Sequence, residues 1–460
     1  MSVRRYAAVL TVAVTVALAG FGAPPAGAVT PPVVEPGPPP SGPVAPAQPT
    51  ELKAICGIPT GVLPGTDFTK QTSAEAMLEY RRAWRFSRGA GQRVAVIDTG
   101  VNRHPRLPAL EAGGDYVSSS DGLVDCDAHG TLVAGIIAAV PAEGDSFAGV
   151  APEATILSIR QNSGAYSAAG RTSGQNDDPN ATSVGYGNTH TLALAITRAV
   201  DLGATVINLS EVACAPVSAG LDDRELGRAV RYAYERNVVV VAAAGNFNSQ
   251  SMCNAQNDMT DPNQPLHNGW NTVSTIASPA WFADYVLTVG AVTTSAAPAD
   301  FSLHGPWVAV AAPGERVTSL DPAGPGLSNA QLGQQGLAPL NGTSFAAPFV
   351  SGVVALIRSR YPDLTAGQVK DLIERTARTP GNGPNQATGY GVVDPVAALT
   401  YQLPHGADGR DVTATSPIGG PPQPDPGNVR ARRIVFSVTA ACLALMVAAV
   451  AVAAARRRTR

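Results

Sequence analysis

Charged and aromatic residues are scarce in this chain of 460 residues: they make up 15% and 5% of the sequence, and only five cysteines are present. The low charge, together with 45% hydrophobic residues, excludes disorder over the whole chain. A formal net charge of −3 gives no support for a nucleic-acid-binding protein. No two cysteines are spaced as CxxC, which argues against a structural zinc site, and we expect neither a metal nor a cofactor.

Basic residues without any acidic neighbour mark the two ends of the chain. Residues 1–28 contain two arginines and residues 430–460 contain seven, so that 23 basic and 35 acidic residues remain between them. In residues 1–28 an arginine pair precedes the apolar stretch Ala7–Gly22 and the A-x-A cleavage pattern Ala26–Ala28. This order predicts a secretory signal peptide, with an uncleaved anchor helix as the alternative.

A second apolar run, Ile434–Ala455, contains 22 residues and no charge. As a helix it would span about 33 Å, enough for a hydrocarbon core of about 30 Å. Arginines flank it on both sides, so the positive-inside signal alone is ambiguous. The signal peptide favours an extracytoplasmic middle and a cytoplasmic tail of residues 456–460. We therefore predict one C-terminal transmembrane helix in the cell membrane, with a buried helix of a soluble protein as the alternative.

Proline-rich segments divide the region between these ends. Nine prolines in residues 29–50 predict an extended tether, and the proline and glycine of residues 404–430 predict a stalk. Between these two segments we predict an N-terminal extension, residues 51–90, and a folded domain, residues 91–403.

Four of the five cysteines lie in the predicted exported region, and Cys442 lies in the apolar run. Four cysteines allow three disulfide connectivities. The pairing that skips the least chain joins Cys56 to Cys126 and Cys214 to Cys253, but the sequence alone leaves the connectivity open.

Short apolar runs alternate with helical patterns through the middle of the chain. The runs are too uniformly apolar for half-exposed strands, so they predict buried ones. The predicted strands are Arg93–Ile97, Thr205–Leu209, Val238–Ala243, Val286–Val292 and Val308–Ala311. The predicted helices are His190–Leu202, Leu221–Asn237, Ser344–Tyr361 and Thr365–Thr376. This alternation predicts an α/β fold whose central sheet is mostly parallel, with helices on both faces.

Two candidate catalytic residues lie near the first predicted strand. Asp98 ends this strand, at the edge of the sheet where functional residues gather. Its Asp-Thr-Gly context also occurs in aspartic proteases, but that chemistry needs a second such motif, which the sequence lacks. His129 opens an apolar helical run and is followed by Gly130, so it can approach a nucleophile closely. A lone histidine is more often structural.

Two further candidates lie in the second half of the chain. Ser344 begins a predicted helix, where backbone N–H groups and the helix dipole can face an oxyanion. Asn246 follows a buried strand and offers an amide donor that could complete an oxyanion hole. Taken singly, a serine at such a place is more often a helix cap, and Gly-Asn is usually a turn.

The chain order Asp98, His129, Asn246 and Ser344, each in a matching local motif, resembles the subtilisin-like serine proteases (subtilases) over about residues 84–400. The resemblance implies a subtilisin-like fold and a triad in which Ser344 is the nucleophile and His129 the general base. Asp98 would orient the imidazole, and Asn246 would donate to the oxyanion.

The segment Ser210, Glu211 and Val212 departs from the subtilase pattern. Subtilases usually carry Leu-Gly-Gly after the serine that ends this strand, and the segment forms a wall of the substrate cleft. Side chains replace glycine here, and one of them is acidic. We therefore predict a narrow, selective cleft that disfavours acidic substrate side chains.

The succession of signal peptide, proline-rich extension, protease unit, stalk, membrane span and arginine tail resembles the mycosins, membrane-anchored subtilases of actinobacterial type VII secretion systems. Cys56-Gly57-Ile58-Pro59 and the four exported cysteines are also similar to theirs. The resemblance implies that the extension wraps the catalytic unit, with a Cys56–Cys126 bridge close to His129. It also implies protein or peptide substrates and a secretion membrane complex as partner. A catalytically dispensable structural component and a general degradative protease are the alternatives.

Overall fold

The computed structural model describes residues 29–57, 59–171, 178, 180–182, 185–248, 253–259, 269–333, 335–401 and 443–456. The predicted signal peptide, residues 1–28, and the predicted stalk, residues 404–430, lie outside the described residues. The chain divides into two units, Met1–Gln402 and Leu403–Arg460. The first unit contains all four candidate catalytic residues.

A seven-stranded parallel sheet forms the centre of the first unit. Its strands are β1 (Arg93–Asp98), β2 (Leu110–Asp115), β3 (Thr155–Arg160), β4 (Val206–Leu209), β5 (Val239–Ala243), β6 (Val286–Val292) and β7 (Val308–Pro313). Their order across the sheet is β7-β6-β5-β4-β1-β3-β2. The chain therefore reverses its direction of travel across the sheet beside β1, which is the place where α/β sheets open a crevice for ligands.

Eight helices are described in this unit. They are α1 (Ser73–Leu78), α2 (Tyr80–Ala83), α3 (His129–Ala138), α4 (Thr189–Asp201), α5 (Arg224–Glu235), α6 (Thr343–Arg360), α7 (Ala366–Thr376) and α8 (Pro395–Thr400). Helices α4 and α5 contact each other, α4 packs on β1 and α5 on β5, while α3 and α6 contact each other. Helix α6 packs against β4, β5, β6 and β7. The prediction of a parallel sheet between helices is confirmed.

Short elements complete the unit. The antiparallel pairs join Thr50–Leu52 to Tyr166–Ala168, Ala213–Pro216 to Thr275–Ser278, Ser319–Leu320 to Leu327–Ser328, and Ala330–Gly333 to both Gly336–Pro339 and Thr60–Gly61. Two 3₁₀ turns lie at Val217–Ala219 and Trp270–Thr272.

The described residues from 29 to 61 lie along the surface of the first unit. Val34 packs against the core beneath α4 and α5, and Arg231 of α5 donates a hydrogen bond to the carbonyl of Gly37. Further on, Thr50–Leu52 and Thr60–Gly61 each add a short strand to a different part of the unit. Residues 29–50 therefore bind to the folded unit instead of standing free of it as a tether.

Two disulfides are present among the described residues, and each joins cysteines that are consecutive in the sequence. Cys56 bonds to Cys126 across 70 residues, and Cys214 bonds to Cys253 across 39 residues. On the loop-closure argument each bridge would stabilise the fold by about 4 kcal/mol. The first bridge attaches the extension to the chain three residues before His129.

In the second unit, residues 443–456 are helical, with exposed side chains. No helix among the described residues has the length and apolar character needed to cross a bilayer. The predicted span, residues 434–455, lies partly outside the described residues, as does most of the predicted tail, residues 456–460.

Candidate active site

The candidate residues converge at the carboxyl edge of the sheet. Asp98 ends β1, Ser210 directly follows the neighbouring strand β4, and Asn246 follows β5, the next strand across. Parallel strands end at the same edge, so three separate stretches of sequence meet there. Ser344, in the first turn of α6, reaches this edge because α6 packs across β4 and β5.

Asp98 and His129 form a close pair. Oδ1 of Asp98 lies 2.7 Å from Nδ1 of His129, and Asp98 is fully buried whereas 18% of the His129 side chain is exposed. Helix α3 can approach β1 closely because its second residue is Gly130, where a Cβ would lie 2.0 Å from the carbonyl oxygen of Gly100. A hydrogen bond through Nδ1 leaves the other ring nitrogen available as a base.

The buried carboxylate of Asp125, which the sequence did not indicate, binds the residues next to Asp98 and His129. The Asp125 carboxylate accepts hydrogen bonds from the Thr99 and Thr131 hydroxyls and from the N–H groups of Thr131 and Asp127. The Thr99 hydroxyl in turn accepts from the N–H of Gly130. Burial raises the pKa of Asp125 to about 6, although these donors favour the ionised form. Asp125 therefore fastens the start of α3 to the loop after β1.

We expect Asp125→Asn to lower the free energy of unfolding by about 1–3 kcal/mol, because an amide cannot accept from all four donors and leaves buried ones unpaired. The measurement is the shift of the denaturation midpoint of the full chain. Asp121→Asn is the matched control, since Asp121 is exposed and its carboxylate accepts only from the N–H of Leu123 among the described residues. Equal midpoints for the two variants would contradict this role.

Ser344 is 6% exposed, and a chain of buried hydrogen bonds attaches it to the sheet. Its carbonyl accepts from the hydroxyl of Ser210 at 2.8 Å, and Ser210 accepts from the amide of Asn208 at 2.9 Å. The amide oxygen of Asn208 accepts from Ser351, two turns further along α6. Both ends of this chain lie on α6, so the start of the helix is held in register with β4.

Asn246 faces the same space as the Ser344 hydroxyl. Its Oδ1 accepts from the N–H and hydroxyl of Thr343, which leaves Nδ2 available as a donor. A Cβ on Gly342 would lie 2.8 Å from Oγ of Ser344 and 3.5 Å from Nδ2 of Asn246. The hydroxyl and the amide donor therefore border one small space that only a glycine at position 342 leaves open.

The cleft-wall segment Ser210–Val212 reaches the Asp98–His129 pair. Oε1 of Glu211 lies 3.8 Å from Nδ1 of His129, and the side chains of Glu211 and Val212 are half-buried. Two residues beyond Val212, the Cys214–Cys253 bridge lies against Gly245, next to Asn246. The wall is thus covalently joined to the loop that carries the amide donor.

The only cluster of potential metal ligands in the described part of the chain is Asp98, His129 and Glu211, whose donor atoms lie within 4.8 Å of one another. The Nδ1 atom that a cation would need is already hydrogen-bonded to Asp98. The arrangement therefore suits a proton better than a metal ion.

The acids around His129 determine its protonation. Burial alone lowers the pKa of this histidine, but the charges of Asp98, Glu211 and Asp125 outweigh burial and raise the pKa well above its usual range. The pKa of Glu211 is also raised, mainly by burial and further by Asp98 and Asp127, although the charge of His129 acts in the opposite direction. A paired Asp and His, at the same edge of the sheet as a serine hydroxyl and an amide donor, can carry out acyl transfer.

Comparison with known proteins shows the family to which the chain belongs. The profile described as "Subtilase family" matches residues 89–391. Mycosin-4 of Mycobacterium tuberculosis is 45% identical over an alignment that covers 100% of this chain and 98% of its own. The crystal structure of MycP1 from Mycobacterium smegmatis is similar with a TM-score of 0.76 and 45% identity, over 82% of this chain and 96% of that one.

A third similar structure is a chain of an intact ESX-5 inner membrane complex. It has a TM-score of 0.76 and 44% identity, over 92% of this chain and 100% of that one. The whole-length similarity to mycosins agrees with the match to the subtilase profile. The chain belongs to the subtilase family of serine endopeptidases and, within it, to the mycosins.

Proposed function

We propose that this mycosin cleaves peptide bonds with a Ser344–His129–Asp98 triad. The 2.7 Å contact between Asp98 and Nδ1 of His129, at the edge of the sheet that Ser344 also reaches, carries the proposal. Ser344 Oγ attacks the scissile carbonyl while His129 accepts the hydroxyl proton and later donates it to the leaving amine. Asp98 keeps the imidazole in the tautomer that leaves its second nitrogen free.

Asn246 stabilises the charge that develops on the carbonyl oxygen. Its Nδ2 borders the space beside Oγ of Ser344, where the tetrahedral oxyanion forms. The hydrogen bonds from Thr343 to Oδ1 fix the rotamer of this side chain before a substrate binds. A donor that is already oriented needs no reorganisation during the reaction, which is the main source of its catalytic effect.

The cleft selects its substrates through the wall at Ser210, Glu211 and Val212. The Cys214–Cys253 bridge limits how far this wall can move, so bulky segments cannot push it aside. The Glu211 carboxylate repels acidic side chains that bind beside it. We propose limited processing of secreted proteins and not general digestion.

We expect the full chain, given a mixture of unfolded secreted proteins, to cut few sites and to leave acidic residues depleted on both sides of them. The measurement is mass spectrometry of the new termini, with a broadly degradative subtilase run in parallel on the same mixture. Digestion of casein to small peptides by the full chain would contradict the narrow-cleft proposal.

The setting of this activity is the extracytoplasmic face of a cell membrane. A signal peptide of residues 1–28 and a single span at residues 434–455, with a cytoplasmic tail at residues 456–460, would anchor the catalytic unit there. The similarity to a chain of the ESX-5 inner membrane complex supports a type VII secretion membrane complex as partner. A structural role in that complex is the second candidate, and the same similarity favours it.

A further inference from the structure

The Glu211 carboxylate has no role in the chemistry described so far, yet it touches the catalytic pair. Its Oε1 lies 3.8 Å from the same Nδ1 atom that Asp98 contacts at 2.7 Å. A triad needs one carboxylate behind its histidine, and this site has two. The second one comes from the cleft wall, in the segment that follows β4, the strand adjacent to β1.

The charges around His129 are almost all negative. Asp98 faces it from β1, Asp125 from the loop before α3, and Glu211 from the segment after β4, while Asp127 in the same loop as Asp125 acts on Glu211. Helix α6 contributes no charged residue between Thr343 and Ser351. Among the described residues none of the four carboxylates forms an ion pair with lysine or arginine.

The buried carboxylate of Asp98 is also incompletely hydrogen-bonded. Its Oδ1 accepts from the N–H of Thr99 and lies against His129, but its Oδ2 is buried without a hydrogen-bond partner among the described residues. A proton on His129 therefore compensates both Asp98 and Glu211. Removing that proton leaves two carboxylates facing each other in a poorly solvated place, which is unfavourable.

We propose that Glu211 is a positioning residue whose carboxylate retains the proton on His129 and thereby moves the onset of proteolysis to higher pH. The proposal rests on the proposed function, because it takes His129 as the general base. A general base accepts the serine proton only when it is neutral. Glu211 and His129 titrate as a coupled pair, so each deprotonation step belongs to both groups. Activity appears after the step in which the His129 imidazolium becomes neutral.

The test is the pH dependence of the second-order rate of labelling by a small uncharged fluorophosphonate, measured on the full chain. This probe needs Ser344 and His129 but fills little of the cleft, so it separates proton retention from substrate selection. The acidic limb is the part of the pH–rate profile in which labelling rises as His129 becomes neutral. In Glu211→Gln we expect this limb to move to lower pH by about one unit or more, because a charge within 4–6 Å shifts a pKa by about that amount. Below the limb, labelling then becomes about tenfold faster than in the wild type.

Two controls accompany this variant. Glu211→Asp keeps the charge and should restore a limb close to that of the wild type. Glu225→Gln makes the same chemical change at a half-buried residue of α5 that pairs with His190, and should leave the limb in place.

The outcomes separate the inference from the function on which it rests. A limb that is unchanged or moved up in Glu211→Gln, in a chain that still labels, overturns the inference alone. A change in peptide KM without a change in the limb also overturns it, because Glu211 would then act only as a cleft wall. Failure of the folded wild type to label at any pH overturns the proposed function.

Discussion

Ser344→Ala should lower kcat for peptide hydrolysis by about 10⁶-fold, the size of the loss known from removing the nucleophile of subtilisin. The variant keeps the backbone carbonyl that accepts from Ser210, so the start of α6 stays attached to the sheet and stability should be unaffected. The measurement is the turnover of a fluorogenic peptide by the full chain, together with labelling by a fluorophosphonate.

The matched control is Ser218→Ala, at an exposed serine in the turn Val217–Ala219, which should label and turn over like the wild type. Labelling that persists in Ser344→Ala would show that another residue is the nucleophile. The same variant separates the two proposed roles in cells. If secretion survives Ser344→Ala but fails when the whole chain is deleted, the structural role is the essential one.

Asn246→Ala should lower kcat by about 10²–10³-fold with little change in KM, the effect known for the corresponding amide donor of subtilisin. The donor acts on a charge that exists only in the transition state, so ground-state binding should be nearly unaffected. The measurement is the separate determination of kcat and KM for one peptide.

Alanine at this position also removes the acceptor for Thr343, so a second variant is needed. Asn246→Asp keeps that acceptor and removes the donor, and should lose at least as much kcat while its thermal midpoint stays near that of the wild type. Asn382→Ala, at an exposed asparagine outside the cleft, is the control for the substitution itself. A loss confined to KM would mean that Asn246 binds the substrate instead of stabilising the oxyanion.

The strands that the sequence predicted are those buried on both faces, because only they are uniformly apolar. The structure adds β2 and β3, which the prediction missed for identifiable reasons. Leu110–Asp115 contains two glycines and a register shift, and four of its six residues are not buried. Thr155–Arg160 includes Ser158, whose hydroxyl is buried only because the carbonyl of Gly122 accepts its hydrogen bond. Long-range partners of this kind leave no local pattern.

The residues of the candidate site also differ in whether a local sequence pattern marks them. Asp98, His129, Asn246 and Ser344 could be found because each lies at a strand end or a helix start with a characteristic local sequence. Asp125 could not, since its importance comes from donors that the fold brings to it from both sides. The sequence placed Glu211 in the cleft wall, but its distance from His129 depends on the adjacency of β4 and β1.

The Cys56–Cys126 bridge restricts how the chain can mature. The loop it closes contains β1 and Asp98, so a cut anywhere between the two cysteines leaves the fragments on either side of the break joined through sulfur. At the N-terminal end, only residues before Cys56 can be released by a single cut, and release of a longer N-terminal fragment requires reduction as well. A chain cut once between the two cysteines would therefore run as a single band on a non-reducing gel and as two bands after a thiol is added.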